Sequence, residues 1–295
     1  MLVPRIAGEY VTAYRPTGDR YAGPDTEELA AGEWYDEWVP NDHGFAVAPD
    51  GRWHVFGITH PLTSPARVHD GENQSFHAIA PAGPLNETLT DGAWQDLPKI
   101  LTAPERPDEI PAQHAPYIVR RDSTYYMFYG PHDIRVATST DLITWTPRGP
   151  VFEGGPTARD PNVLLIGDTY HMVYCKEDAV ESRTSADLVT WSGPRTILEM
   201  PGGIAPESPS LIAHDDTFYL FACGWDGDWG FSTVEGAYQH RTWVYQSSDP
   251  TSFSREITCL EAHAPEIIRA EDGRWYISSV EWPARGVSIA ELAWD

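Results

Sequence analysis

An all-β, five-bladed β-propeller spanning residues 1–295 as one domain is the fold the sequence predicts, on three observations. One hairpin-like segment recurs five times. Helix signals are nearly absent. Turn-forming residues abound, with 26 prolines and 24 glycines. The recurring segments are NDHGFAVAPDGRWHVFG from Asn41, HAPYIVRRDSTYYMFYG from His114, RDPNVLLIGDTYHMVYC from Arg159, ESPSLIAHDDTFYLFAC from Glu207 and HAPEIIRAEDGRWYISS from His263. Each has a polar opening, an apolar run, a turn carrying Asp-Gly, Asp-Ser, Gly-Asp or Asp-Asp, and an aromatic-rich run, which is the chemistry of a tight β-hairpin. The segments start roughly 45–75 residues apart, the size of a four-stranded propeller blade rather than of a helical repeat.

Taken in chain order, residues 8–16 (GEYVTAYRP) are expected to close the ring beside the final strand, and residues 25–33 (DTEELAAGE) form the one short helix the pattern allows. Blades then open near residues 41, 114, 159, 207 and 263. In each, the second run alternates as a strand with one buried face does. Residues 139–145 (STDLITW) and 185–191 (SADLVTW) are near copies, and 247–253 (SSDPTSF) is a degenerate third. An Asp or Ser closing a turn on its own backbone, followed by a packed aromatic, explains these structurally. Residues 286–295 (GVSIAELAWD) supply an outer strand of the last blade.

Composition narrows the function classes. A hydrophobic content of 41% with 12 Trp and 14 Tyr suffices for a real core. No run of about 18 apolar residues suggests a membrane span. The start, MLVPRIAGEYVTAYRP, lacks the basic and apolar regions of a secretion signal, so a cytoplasmic protein is expected. Cys175, Cys223 and Cys259 are odd in number, have no metal-type spacing, and read as reduced and mostly buried. A formal charge of −24 repels phosphate backbones, anionic membranes and polyanionic sugars, which excludes nucleic acid and membrane as expected partners. The sequence says nothing of oligomeric state.

In a propeller the first strand of each blade lines the central channel, and its leading end opens at one face. Aligning the five segments by their turns puts Asp42, Ala115, Asp160, Ser208 and Ala264 in one register, and Asn41, His114, Arg159, Glu207 and His263 in the register before it. Three carboxylates from three blades, Asp42, Asp160 and Glu207, therefore converge. Two carboxylates flanking a sugar bond are the minimal apparatus of glycoside hydrolysis, and a third nearby raises the pKa of the acid. Trp38, Trp225, Trp229 and Trp282 are the candidates for stacking on sugar faces. Glu266, which also opens a blade, is the rival acid and a candidate substrate contact, although it follows its proline. His114 and His263 have two readings: caps of a strand start, or channel residues that contact substrate, water or a cation. No phosphate-binding glycine loop or zinc-type His/Cys spacing is present, so no cofactor is required.

These motifs resemble the five-bladed propeller glycosidases of glycoside hydrolase families 43 and 32. The likeness covers roughly residues 40–290 and rests on short motifs only. Family 43 members place an Asp opening blade one, an Asp before Pro opening blade three and a Glu two residues before a Pro opening blade four. Here those positions hold Asn41-Asp42, Asp160-Pro161 and Glu207-Ser208-Pro209. His114-Ala115-Pro116-Tyr117 departs from the blade-two pattern Trp-Ala-Pro-Asp. Arg159-Asp160-Pro161 matches the central family 32 motif, and Asn41-Asp42-His43 matches its Asn-Asp-Pro in part; the β-sandwich usual in family 32 does not follow blade five.

The resemblance implies Asp42 as base or nucleophile, Glu207 as general acid, Asp160 as the residue that holds sugar hydroxyls and tunes Glu207, and Arg159 as a substrate contact. It implies a small oligosaccharide or glycoside substrate with terminal furanoside (arabinofuranoside or fructofuranoside) or xyloside linkages. Some family 43 relatives hold calcium on the axis with a blade-five histidine, which matches His263. The expected substrate-binding residues are thus Asn41, His114, Arg159, Trp225, His263 and Glu266. Two other functions are open: a carbohydrate-binding propeller without catalysis, and a transglycosylase or cyclase that uses the aromatic and acidic insertion at 224–241.

Overall fold

Each recurring segment folds as its turn chemistry dictates, into two antiparallel strands, and two more strands complete a four-stranded sheet; there are five such sheets. The computed structural model describes residues 2–63, 71–200, 202, 204–225 and 234–295. The first and second strands are Trp38–Val47 and Trp53–Pro61 in blade one, His114–Arg121 and Thr124–Gly130 in blade two, and Arg159–Ile166 and Thr169–Lys176 in blade three. They are Ala205–His214 and Thr217–Trp225 in blade four, and Ile267–Arg269 and Trp275–Val280 in blade five.

The second strands are apolar on both faces, not one. Met127 and Tyr129 enter the core shared with blade one, while Phe128 between them enters the core shared with blade three. Leu220 and Ala222 against Tyr219 and Phe221 repeat the pattern between blades three and five. Alternation therefore sorts side chains between two inter-blade cores, so each blade is packed against both of its neighbours. Each such buried large side chain contributes about 1.5–3 kcal/mol.

Every first strand carries one extra residue at the same height. His114, Arg159 and Glu207 pair with Gly130, Cys175 and Cys223, and pairing resumes three residues later against partners only two residues back. In blade five the Val280 and Ser278 amides donate to the His263 and Glu266 carbonyls with the same three-against-two spacing. The residue that follows the last pair adopts a left-handed backbone: Ala115, Asp160, Ser208 and Ala264 have φ of 41°, 58°, 45° and 45°. That conformation costs a residue with a Cβ about 1–2 kcal/mol, and its repetition marks a bulge built into the blade. Blade one differs. Its ladder breaks between Pro40 and His43, so Asn41, not Asp42, is opposite the Asp160 position, and the turn-based alignment is one residue out there.

The ring closes where residues 8–16 were expected to close it. Pro4–Tyr14 pairs with Val287–Trp294 and is itself the outermost strand of blade five, which leaves the final strand third in its sheet. Residues 25–33 form no helix. The Ala31 amide, which a helix would give to the Glu27 carbonyl, donates to the Asp25 carboxylate, and the Thr26 amide donates forward to the Leu29 carbonyl, so the segment closes as a loop. Cys175 and Cys223 are buried free thiols, and Cys259 is exposed.

The near-copy turns close on themselves. Asp141 Oδ1 accepts from the Ile143 and Thr144 amides at 2.9 and 2.8 Å, and Ser139 Oγ from the Leu142 amide at 2.9 Å; Asp187 and Ser185 repeat this at Val189, Thr190 and Leu188. Asp141→Ala is expected to lower Tm by a few degrees, at about 2–4 °C per kcal/mol, without changing function. Calorimetry alongside an activity assay checks this.

Candidate active site

The bulges aim the openings of blades one to four into one cavity of about 410 Å³, within the range of small-molecule sites. Its wall includes Asn41 and Asp42 from blade one, His114 from blade two, Arg159 and Asp160 from blade three, and Glu207 and Trp225 from blade four. The three carboxylates expected to converge do so. Glu72, Thr157, His132, Ile58, Ala112 and Pro131 complete the lining. Glu72, in the loop after the second strand of blade one, pairs with His114 Nε2 at 2.9 Å, which places His114 in the cavity rather than as a strand cap. None of these additional residues lies at a repeat opening, so the sequence pattern held no signal for them.

Arg159 organises the acids. Its guanidinium donates to the carbonyls of Thr157 (3.1 Å) and Pro206 (3.0 Å), which fixes its plane. From there Nε lies 3.4 Å from Asp160 Oδ2 and Nη2 lies 3.5 Å from Glu207 Oε1. Asp160 also accepts from the Ser208 amide at 3.1 Å, so two adjacent bulges are tied through a carboxylate. Burial works against the Arg159 charge, and Asp160 and Glu207 outweigh it, which raises its pKa.

The carboxyl pKa values are raised as well, which for an acid favours the neutral form. Burial pushes Glu207 up to about 8; Arg159 opposes the rise, and Asp42 and Asp160 add to it. Burial, with the charge of Asp42, pushes Asp160 up to about 7. Asp42 is raised by burial as well, while Arg159 and His114 favour its ionised form. At neutral pH the cavity thus holds an acid that keeps its proton beside groups able to lose theirs, the division of labour that acid–base chemistry needs.

Two expected contacts lie one layer below the cavity. After the bulge, the next inward side chains are His43, Tyr117, Asn162, Ser210 and Glu266, one per blade. Glu266 is at the axis, 3.4 Å from Asn162 Nδ2, and burial raises its pKa well above the usual carboxylate range. His263 is buried behind Asn41 and touches the cavity only through it. Trp38 is a core residue: its indole donates to the Tyr35 carbonyl at 2.9 Å, and Lys99 Nζ sits 4.3 Å from its ring centre. Trp282 stacks on His240 at 4.4 Å, away from the lining. Trp229 is outside the described residues, as is most of the first half of the 224–241 insertion.

An axial calcium held by the blade-five histidine does not fit this chain. Both His263 ring nitrogens are engaged, Nδ1 with the Gln239 carbonyl at 2.7 Å and Nε2 with the Asn41 side-chain amide at 3.0 Å. Burial lowers its pKa to about 4, so the ring is neutral at physiological pH.

No protein-family model and no curated protein match the sequence. Solved structures do match the fold. A thermostable family 43 glycoside hydrolase superposes with a TM-score of 0.64 at 13% identity, covering 88% of this chain and 90% of that one. An α-L-arabinofuranosidase from Clostridium thermocellum gives 0.62 at 16% identity, with 86% and 89% covered. A family 32 β-fructofuranosidase from Bombyx mori gives 0.59 at 17% identity, with 86% of this chain but 59% of that one covered. The chain has the five-bladed propeller fold of the family 43 and family 32 glycoside hydrolase structures.

Proposed function

We propose that this protein is a glycoside hydrolase that removes terminal furanosyl or xylosyl units from short oligosaccharides. The observation that carries the reading is the Asp42–Asp160–Glu207 cluster, drawn from three blades around one cavity with the Arg159 guanidinium among them. Glu207, protonated at neutral pH, delivers its proton to the glycosidic oxygen as the bond to the anomeric carbon breaks. Asp42 either takes a proton from the attacking water or itself bonds to that carbon. Asp160 keeps the Glu207 pKa high and accepts from a sugar hydroxyl, and Arg159 donates to another. The solved structures of similar fold include an exo-arabinanase and a family 43 enzyme bound to xylose and xylotriose, which supports the substrate class. A net charge of −24 and the four acids that line the cavity among the described residues (Glu72 is the fourth) disfavour anionic sugars.

The test is a panel of aryl arabinofuranosides and xylosides, with short fructosides, assayed with wild type and Glu207→Gln; no turnover of any of them by wild type sinks the reading. The anomer first released, read by NMR, separates inversion from retention. The pH profile gives a further expected outcome. The alkaline limb of kcat/KM falls near pH 8, where Glu207 loses its proton. Asp160→Asn removes a negative neighbour, so that limb moves to lower pH; a limb that stays in place removes the tuning role.

A further inference from the structure

His263 has a buried imidazole, 2% exposed, with a partner at each nitrogen. On one side, Nδ1 is 2.7 Å from the carbonyl oxygen of Gln239, which belongs to the connection between the second and third strands of blade four. A carbonyl only accepts, so Nδ1 must carry the hydrogen. In a neutral imidazole the other nitrogen is then a lone pair, yet the Asn41 atom 3.0 Å from it is placed as Oδ1, a second acceptor. Two acceptors cannot share that contact, so the amide is assigned with its oxygen and nitrogen exchanged: the NH2 group donates to Nε2, and the carbonyl oxygen turns toward the cavity that Asn41 lines. The ring itself cannot rotate: Tyr238 packs on it at 4.6 Å, and the Cys223 sulfur lies 3.8 Å from Nδ1.

We propose that His263 is a positioning residue, the Nδ1–H tautomer of which fixes the Asn41 amide so that the innermost sugar subsite presents a hydrogen-bond acceptor there. Asn41 then accepts from a sugar hydroxyl beside Asp42, and the histidine that the family resemblance offered to a cation serves here as a neutral strut between blades five, four and one. The activity side of the proposal rests on the glycosidase reading; the tautomer does not.

Long-range proton–nitrogen correlation NMR on 15N-histidine-labelled protein, with His263 assigned by its loss in His263→Gln, is expected to show the neutral Nδ1–H form at neutral pH. An Nε2–H tautomer or an imidazolium there overturns the proposal, whatever the enzyme turns over. In kinetics on the glycoside that wild type hydrolyses, His263→Phe and Asn41→Ala each lower kcat/KM about tenfold, the size of one hydrogen bond. The double variant loses no more than either alone, and His263→Gln, which keeps an acceptor at the Nε2 position, stays within about threefold of wild type. Additive losses, or a glutamine variant as impaired as the phenylalanine one, overturn it. Calcium and chelator leave Tm unchanged; a calcium-dependent rise in Tm that His263→Gln abolishes would restore the cation site and overturn the strut.

Discussion

Glu207→Gln is expected to lower kcat on every glycoside substrate by about 10²–10⁴-fold while making the protein more stable, and more so the higher the pH. Both effects come from one proton. In the folded chain Glu207 holds it up to about pH 8, whereas an unfolded glutamate releases it near the ordinary carboxylate value. Below that ordinary value both states are protonated and the group adds no pH dependence. Above it the unfolded chain binds fewer protons than the folded one, so stability falls as pH rises until the folded carboxyl also ionises. Glutamine never releases a proton and escapes this loss. Melting curves at pH 5 and pH 8.5 check it: the gain in Tm is expected to be several degrees at the higher pH and near zero at the lower. A uniform gain at both would mean that the proton is not held as described.

Arg159→Met is expected to cost about 3–5 kcal/mol, or roughly 6–20 °C in Tm at about 2–4 °C per kcal/mol. The guanidinium is the cation beside Asp160 and Glu207, at 3.4 and 3.5 Å, that offsets whatever charge they carry as pH rises, and it also satisfies the Thr157 and Pro206 carbonyls. Removing it leaves buried acids to repel one another. The loss shrinks at pH 5, where the raised carboxyls are neutral, and the Arg159→Met/Glu207→Gln double variant is less destabilised than the two single effects predict. Chemical denaturation of the four proteins at two pH values measures this coupling. An Arg159→Met cost that is independent of pH and additive with Glu207→Gln would assign the loss to packing rather than to charge.

The sequence displayed the blades because each carries the same hairpin chemistry, and it displayed Asp42, Asp160 and Glu207 because they occupy repeat openings. It did not display the bulge. One extra residue reverses which side chains face the cavity, so Glu266, three residues beyond His263, goes to the axis although both open the same blade. The alignment of blade one is off by one for the same reason: its bulge is counted from Pro40, not from Asn41. Glu72 was beyond reach because it belongs to the long connection between the second and third strands of blade one, outside the repeated hairpin, and loops follow tertiary contacts rather than periodicity. Trp38 looked like a platform because it is aromatic and near a blade opening. Only the structure puts Lys99 over its ring and a carbonyl at its indole nitrogen. The helix expected at 25–33 fails on local competition: the Ala31 amide, which in a helix would donate to the Glu27 carbonyl, is taken by the Asp25 carboxylate.

The clasp of blade five has a kinetic consequence. Thr12 and Ser288 bond across 276 residues of chain, and at the other end of the same strand pair the Val3 and Asp295 backbones exchange hydrogen bonds. Blades one to four are each built from contiguous chain and can form as it is synthesised. Pro4–Tyr14 must wait, its edge unpaired, until the last strand has been made. Closing so long a loop is entropically slow, so the final event in folding is annealing of the ring rather than formation of any blade. A circular permutant with the two ends joined and a new opening between two blades would make every blade local except the one cut, and would move that slow step to the new seam.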